Sequence, residues 1–458
     1  MAAPGALVPS DYKLLAIVAA RTGSGLQIVR SYKAIHQVER SHLVGRPAVR
    51  LYSSEPRAST TKSGEEPLRI ALPVLEGDYW TVGPIHLASL VAAVRETYGN
   101  GVHTFVFSAR DPDWARDYAR TVGATGAIHR AYPPRWTLAW AIKWLGRHVS
   151  VQDSSIESVL ESHGIDVALC MRLTRGYGRI GTILWLADFQ HLVMPEMFDE
   201  AERVERTSEF LRSSQLATRI VVMSDAVRRD FLGFAPTYGP KLRVLKPASF
   251  IPDRVYDLNP AAVAAANHLP DRFIYLPNQF WKHKNHELVL QAVKILKDRN
   301  VHVRIVCTGS LLDYRHPRYA AELFRKLSAW GLREHIICLG LLQHEEVLLL
   351  MRQCVAVLNP ALFEGWGYTV DEARSLGKLV LVSDIPAHRE QDPPQATFFN
   401  PFDAEDLAAR LQTVWRAGKA GPDGAREAAA REQLHERRRA YAQEFVALAR
   451  ETAEAARD

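Results

Sequence analysis

Two glutamates, Glu364 and Glu372, lie eight positions apart, and this spacing suggests a catalytic or ligand-binding site. Glu364 stands in a Glu-Gly-Trp-Gly loop, and Glu372 lies about one turn into a helix predicted to begin near Thr369. Two carboxylates facing one cleft could act as a general acid and base. They could equally accept hydrogen bonds from ligand hydroxyls. The glycines and the helix N-terminus favour an anion, and a diphosphate would suit that position.

A lysine and a histidine follow two other predicted strands. Lys284 lies in the loop between a strand at residues 273–277 and the next helix, where a flexible ammonium group can bind phosphate. His191 lies in a loop after the strand at residues 183–186, beside Asp188. Either could be an ordinary structural or solvated residue. Their positions favour ligand binding, because open α/β sheets bind ligands at the carboxyl ends of their strands.

The elements that must position these residues form two successive series of strands and helices. Short apolar runs alternate with amphipathic segments, which is typical of parallel, doubly wound sheets. The first series of strands is predicted at residues 68–75, 103–109, 166–171, 183–186, 219–223 and 242–245, with one of its helices at 195–211. The second series is predicted at residues 273–277, 303–309, 336–340, 355–360 and 379–383.

This α/β pattern predicts two Rossmann-like domains that face a central cleft. We assign residues 1–66 to an N-terminal extension and linker and residues 67–250 to the first Rossmann-like domain. Residues 251–430 form the second Rossmann-like domain, and residues 431–458 a C-terminal helix. The polar, Ser-, Thr- and Pro-rich stretch at 52–67 is what separates the extension from the first domain.

Composition excludes several classes of protein. The chain has 458 residues and a net charge of +6, without a basic and aromatic cluster that would indicate nucleic-acid binding. No apolar run is long enough to span a membrane, and the four cysteines fit buried free thiols in a reduced, cytoplasmic compartment. Excess positive charge in residues 1–64 could favour peripheral contact with an anionic membrane face; a solvated leader is the alternative.

The segment NPALFEGWGYTVDEARSLGKLVLVSDIPAHRE, residues 359–390, closely resembles the donor-site signature of one enzyme family. That family is the GT-B-fold retaining glycosyltransferases of the family-4 type, bacterial glycosyl transferases group 1, which includes many mannosyltransferases. The resemblance implies that a loop holds the donor sugar, through Glu364, Gly365, Trp366 and Gly367. It implies that the helix N-terminus at Tyr368 and Thr369 meets the diphosphate, and that Glu372 binds the ribose.

Two further segments resemble the same family. FIYLPNQFWKHKN, residues 273–285, has the Lys284-Asn285 pair of the family's diphosphate clamp, but Asn278 lies where the family has an arginine. Either Asn278 binds the phosphate or Lys282 supplies the second charge. WLADFQHLVMPEMF, residues 185–198, places His191 where the family has a cleft-facing histidine. Gly83, in the loop at 76–84, is a weaker match to a loop that contacts phosphate or acceptor.

The resemblance implies transfer of a hexosyl or deoxyhexosyl group, most often mannose, from a nucleoside diphosphate sugar with retention of configuration. The expected acceptor is a saccharide or a lipid-linked saccharide in cell-surface polysaccharide or glycoconjugate synthesis. The expected catalytic residues are His191, Glu364 and Lys284, and no metal or other cofactor is expected. Alternatives are a GT-B-fold sugar-nucleotide epimerase, a phosphorylase and a non-catalytic sugar-nucleotide-binding subunit of a polysaccharide assembly complex.

Overall fold

The computed structural model describes residues 66–75, 82–130 and 154–457, together with a short hairpin near the N-terminus. The hairpin pairs β1, Val18–Thr22, with β2, Gly25–Val29, in antiparallel register. It lies within the segment that the sequence assigns to an extension. Of the loop predicted at residues 76–84, residues 76–81 lie outside the described residues.

The first domain is built on a seven-stranded parallel sheet with the order β5-β4-β3-β6-β7-β8-β9. Its central strands are buried on both faces, which explains their continuous runs of Val, Ile and Leu. The strands are β3 Leu68–Pro73, β4 Val102–Ser108, β5 Gly126–His129, β6 Val167–Cys170, β7 Gly181–Leu186, β8 Arg219–Val222 and β9 Leu242–Val244.

Helices connect these strands. They are α1 Val82–Tyr98, α2 Pro112–Val122, α3 Ser154–Ser162, α4 Gln190–Val193, α5 Glu200–Leu216 and α6 Asp225–Phe234. The sequence predicts a helix at residues 195–211, but the structure has this helix at Glu200–Leu216. A 3-10 turn occupies Pro195–Met197, and the Asp199 carboxylate then accepts a hydrogen bond from the backbone N–H of Glu202 at 2.7 Å. This N-cap starts α5 at Glu200.

The second domain has a six-stranded parallel sheet with the order β12-β11-β10-β13-β14-β15. Its strands are β10 Ile274–Leu276, β11 Ile305–Cys307, β12 Ile336–Cys338, β13 Ala356–Asn359, β14 Val380–Ser383 and β15 Thr397–Phe399. Its helices are α7 Arg254–Asp257, α8 Pro260–Ala266, α9 His286–Asp298, α10 Tyr319–Ala329, α11 His344–Gln353, α12 Tyr368–Ser375, α13 Pro386–Gln391 and α14 Ala404–Ala417. The two parallel α/β units confirm the predicted fold class.

A long final helix, α15 at Gly424–Arg457, connects the two domains. Near its start Glu427 accepts a hydrogen bond from Arg352 of the second domain at 2.8 Å. Further along, Tyr441 and Phe445 are buried in the same core cluster as the apolar residues of α1 and β7. The chain therefore returns to the first domain after completing the second. No helix in the described part of the chain is long and apolar enough to cross a membrane.

Candidate active site

The loops that follow β10 and β13 meet at the N-terminus of α12, at the carboxyl edge of the second sheet. Gly367 is the N-cap of that helix and has a φ of 93°. A Cβ at this position would lie 3.3 Å from Nε2 of Gln391, so both the backbone angle and the space favour glycine. The first N–H groups of α12 are thus presented at the end of a parallel strand, where an anion is stabilised.

Lys284 and Glu364 form an ion pair at this edge. Lys284 Nζ donates to Glu364 Oε1 at 2.7 Å, and Asn359 Nδ2 donates to the same oxygen at 3.2 Å. Both charged side chains are largely buried, at 19% and 11% exposure. The sequence predicted a cation for the phosphate and a carboxylate for the sugar, and the structure brings the two together. Their roles toward a ligand stay predictions.

Asn278, in the loop after β10, is buried and bonds to the end of β13 and to the first turn of α12. Its Nδ2 donates to Asn359 Oδ1 at 2.9 Å, and its Oδ1 accepts from Thr369 Oγ1 at 3.0 Å. Both ends of its amide are therefore already engaged. The other predicted source of charge, Lys282, is exposed on the 3-10 turn Lys282–Lys284.

Glu372 is held by a residue that the sequence did not single out. His344, the first residue of α11, lies with its Nε2 2.7 Å from Glu372 Oε1, and both side chains are nearly buried. The sequence analysis gave this histidine no role. No local pattern could have connected the two residues, because 28 positions separate them.

The side chains of Trp366 and Tyr368 pack against the first domain. Both are buried in the core cluster of the first domain. The Tyr368 hydroxyl bonds to Nδ1 of His86 on α1, and the His86 ring stacks on Trp185 at 4.1 Å. Burial lowers the pKa of His86 to about 3, so this histidine is neutral at pH 7. Only the backbone of Trp366 and Tyr368 remains to meet a ligand.

Gly365 lies where the two domains touch. A Cβ at this position would clash with the backbone carbonyl oxygen of Ala187, which directly follows β7. Ser224, the N-cap of α6, also donates its hydroxyl to the Gly365 carbonyl oxygen at 2.8 Å. The predicted donor loop is therefore in direct contact with the carboxyl edge of the first domain.

His191 is not in a loop, as the sequence predicted, but on the short helix α4, where its ring is fully buried. The rings of Phe189, Phe198 and Phe210 surround it. Neither ring nitrogen has a hydrogen-bond partner in the described ranges. Burial, reinforced by the positive charge of Arg206, lowers the pKa of His191 to about 4. Its catalytic role stays a prediction.

Gly83 was expected in a loop, but α1 begins at Val82, so Gly83 lies buried in the first turn of that helix. Its predicted contact with phosphate or acceptor is untested. Within the described ranges no group of three His, Cys, Asp or Glu side chains could hold a metal ion. The four cysteines are buried free thiols.

Comparison with known proteins identifies the second domain. Residues 264–430 match the family model described as Glycosyl transferases group 1, so this part of the chain is a group 1 glycosyl transferase domain. The chain is also similar to the serotype-specific mannosyltransferase WbdA of Escherichia coli, with 29% identity over 141 residues. That alignment covers 30% of this chain and only 17% of WbdA, so the chain spans a small part of this relative.

Solved structures extend the likeness to both domains. A glycosyltransferase from Rickettsia africae ESF-5 superimposes with a TM-score of 0.61 and 14% identity, covering 85% of this chain and 99% of that one. Anabaena Alr3699/HepE, determined in complex with UDP and glucose, has a TM-score of 0.56 and 13% identity, covering 84% and 98%. The chain therefore has the GT-B fold, as the sequence predicted.

Proposed function

We propose that this protein is a retaining glycosyltransferase that moves a hexosyl or deoxyhexosyl group, with mannose preferred, from a nucleoside diphosphate sugar to a hydroxyl. The observation that carries the proposal is the Lys284–Glu364 ion pair beside the N-terminus of α12. It supports the proposal because a cation, helix N–H groups and a carboxylate suited to sugar hydroxyls lie at one edge of the sheet. The similarity to WbdA supports mannose, and the HepE complex with UDP and glucose supports a nucleotide-sugar donor.

The site suits departure of a diphosphate. The transition state separates charge between an oxocarbenium-like sugar and the leaving phosphate, and a fixed cation and dipole stabilise the leaving group. Lys284 and the backbone N–H groups of Tyr368 and Thr369 would bind that phosphate, while Glu364 would hold the sugar hydroxyls. With the acceptor attacking from the face of the leaving group, configuration is retained without a covalent intermediate.

The acceptor assignment rests on the family likeness. We infer a saccharide or a lipid-linked saccharide, used in building a cell-surface polysaccharide or glycoconjugate. Peripheral membrane contact and a cytoplasmic location belong to the same proposal. The membrane contact depends on the positive charge of residues 1–64, most of which lie outside the described ranges.

A donor screen followed by two substitutions tests the proposal. Thermal stabilisation by one series of nucleoside diphosphates identifies the base. Transfer with that donor should then fall on the order of 100-fold in Lys284→Ala and in Glu364→Ala, because each removes a group that binds the transition state. Lys294→Ala is the matched control, since Lys294 pairs with Asp298 on the exposed side of α9. The anomeric configuration of the product, read by NMR, tests retention.

Unchanged transfer in both site variants of an active protein would refute the site. A product formed from the donor alone, without acceptor, would instead indicate an epimerase.

A further inference from the structure

Arg315 lies between the two domains, in the loop that follows β11. Its guanidinium carbon lies 4.3 Å from the ring centre of Phe198, in the first domain, and 5.0 Å from that of Trp281, in the second. Its Nη1 donates to Oε1 of Gln190 at 3.3 Å. Gln190 immediately precedes His191, so the guanidinium reaches the segment of the first domain that carries the predicted catalytic histidine.

This guanidinium is buried but incompletely paired. Its side chain is 5% exposed, and its Nε has no hydrogen-bond partner in the described part of the chain. Asp313 stands beside it, but its Oδ1 is 3.9 Å from Nε. The Asp313 carboxylate already accepts hydrogen bonds from the backbone N–H groups of Lys282, Arg315 and His316. A buried cation with so little compensation is costly unless an anion completes its pairing.

Other buried N–H groups around Arg315 also have no acceptor. Within the described ranges, Gln190 Nε2, Trp281 Nε1 and His316 Nε2 have no hydrogen-bond partner. The first two residues contact the guanidinium, and His316 follows it in the chain. Gln190 and Trp281 nitrogens are donors, and His316 Nε2 is a donor in one tautomer. A set of unsatisfied donors around a cation is suited to phosphate oxygens.

The Arg315 loop is anchored to the loop that carries Lys284. The Asp313 carboxylate accepts from the backbone N–H of Lys282 at 3.0 Å, and Lys282 starts the turn that ends at Lys284. Lys284 is itself paired with Glu364. A diphosphate carries at least two negative charges, whereas Lys284 supplies one positive charge. A second cation at this edge would therefore stabilise the remaining negative charge.

We propose that Arg315, together with Gln190, binds a phosphate group of a substrate at the domain interface. The inference rests on the proposed function, in which the donor is a nucleoside diphosphate sugar. The phosphate has two possible sources, the diphosphate of the donor and a phosphate on a lipid-linked acceptor.

Titration calorimetry on the full chain tests the inference. We expect Arg315→Gln to weaken binding of GDP or UDP, whichever the wild type binds, by about tenfold or more, because a charge-assisted hydrogen bond is lost. Binding of the corresponding monophosphate should change less. Arg315→Lys keeps the charge and should recover part of the affinity. Arg299→Gln is the control, because Arg299 pairs with Glu405 at an exposed position.

Titration with decyl diphosphate distinguishes the two sources. Weaker binding of decyl diphosphate by Arg315→Gln, with nucleotide binding intact, would assign the phosphate to the acceptor. Wild-type affinity for both probes in Arg315→Gln would overturn the inference and leave Arg315 a domain contact, whatever its effect on thermal stability. If the wild type bound no nucleoside diphosphate, the proposed function would fail. Weaker decyl diphosphate binding by Arg315→Gln than by the wild type would then still support the Arg315 site. Equal decyl diphosphate binding by the two proteins would overturn that site too.

Discussion

Glu364 and Glu372, in the predicted donor segment at residues 359–390, have different partners, although their spacing suggested that they act as a pair. Lys284 and Asn359 hold Glu364 at one oxygen. A histidine from another helix, His344, holds Glu372. A carboxylate that is already held by a cation and an amide is better placed to orient a sugar than to exchange protons. At the residue scale, the structure therefore favours two binding roles over one acid/base couple.

His344 is expected to position Glu372 for the ribose. In His344→Ala the carboxylate loses the partner that fixes it, so the KM for the donor should rise about tenfold with little change in kcat. His344→Gln, which keeps a side-chain donor, should recover part of the loss. Steady-state kinetics with varied donor concentration measure both. A KM for the donor that stays at the wild-type value in His344→Ala would contradict this role.

At the scale of elements, the loops of the second sheet approach each other more closely than their sequences suggest. Gly309, just after β11, has a φ of 131°, and a Cβ there would lie 2.5 Å from the backbone carbonyl oxygen of Asn278. Asn285, which precedes α9, has a positive φ of 58°. These conformations bring the Lys284 loop, the Arg315 loop and α12 to one place.

Gly309→Ala should disturb the packing of the loop after β11 against the loop after β10. The added methyl group meets backbone atoms and an unfavourable φ, so we expect a loss of roughly 1–3 kcal/mol in the free energy of unfolding. Calorimetric melting measures the loss, and nucleotide titration should show weaker binding as well. Gly233→Ala is the matched control, because a Cβ at Gly233 has no neighbour within 4 Å and the residue lies in a helix. Equal melting temperatures for the two variants would contradict the assigned crowding.

At the scale of the whole molecule, contacts between the domains converge on the donor segment. Tyr368 bonds to His86, and Ser224 bonds to the carbonyl oxygen of Gly365. At the end of the segment the Glu390 carboxylate accepts from the backbone N–H groups of Asp225 and Ala226, at 2.8 and 3.0 Å. A change in the angle between the domains would therefore shift the donor loop itself.

Buried neutral histidines in both domains predict loss of stability in mild acid. Burial lowers the pKa of His86 and of His286 to about 3, below the ordinary value of 6.5. As the pH falls below 6.5, the unfolded chain binds protons that the folded chain does not. Each histidine should therefore reduce the free energy of unfolding by about 1.4 kcal/mol per pH unit between pH 6 and pH 4.

Calorimetry at pH 7 and pH 5 measures this dependence. His286→Leu removes one of the two groups, so the melting temperature of the variant should fall less between the two pH values than that of the wild type. A drop as large as in the wild type would contradict the assignment.

The sequence by itself determined the architecture and the location of the candidate site. Parallel strands buried on both faces must be apolar throughout, so their runs and the alternating helices are visible along the chain. The segment at residues 359–390 and Lys284 could be found because each is a local motif that follows a strand. Local signals place most of these elements, but the short strands β5 and β15 were not predicted, and the Asp199 cap decided the start of α5.

Only the tertiary structure decided which residues complete that site. His86 and Tyr368 are 282 positions apart, and Gln190 and Arg315 are 125 apart. Such contacts depend on how two sheets face each other, which no run of neighbouring residues encodes. The burial of Trp366 in the core cluster of the first domain has the same origin. His191, in contrast, is buried by aromatic rings of its own domain. A side chain's exposure is fixed by what packs over it, and here that is often the other domain.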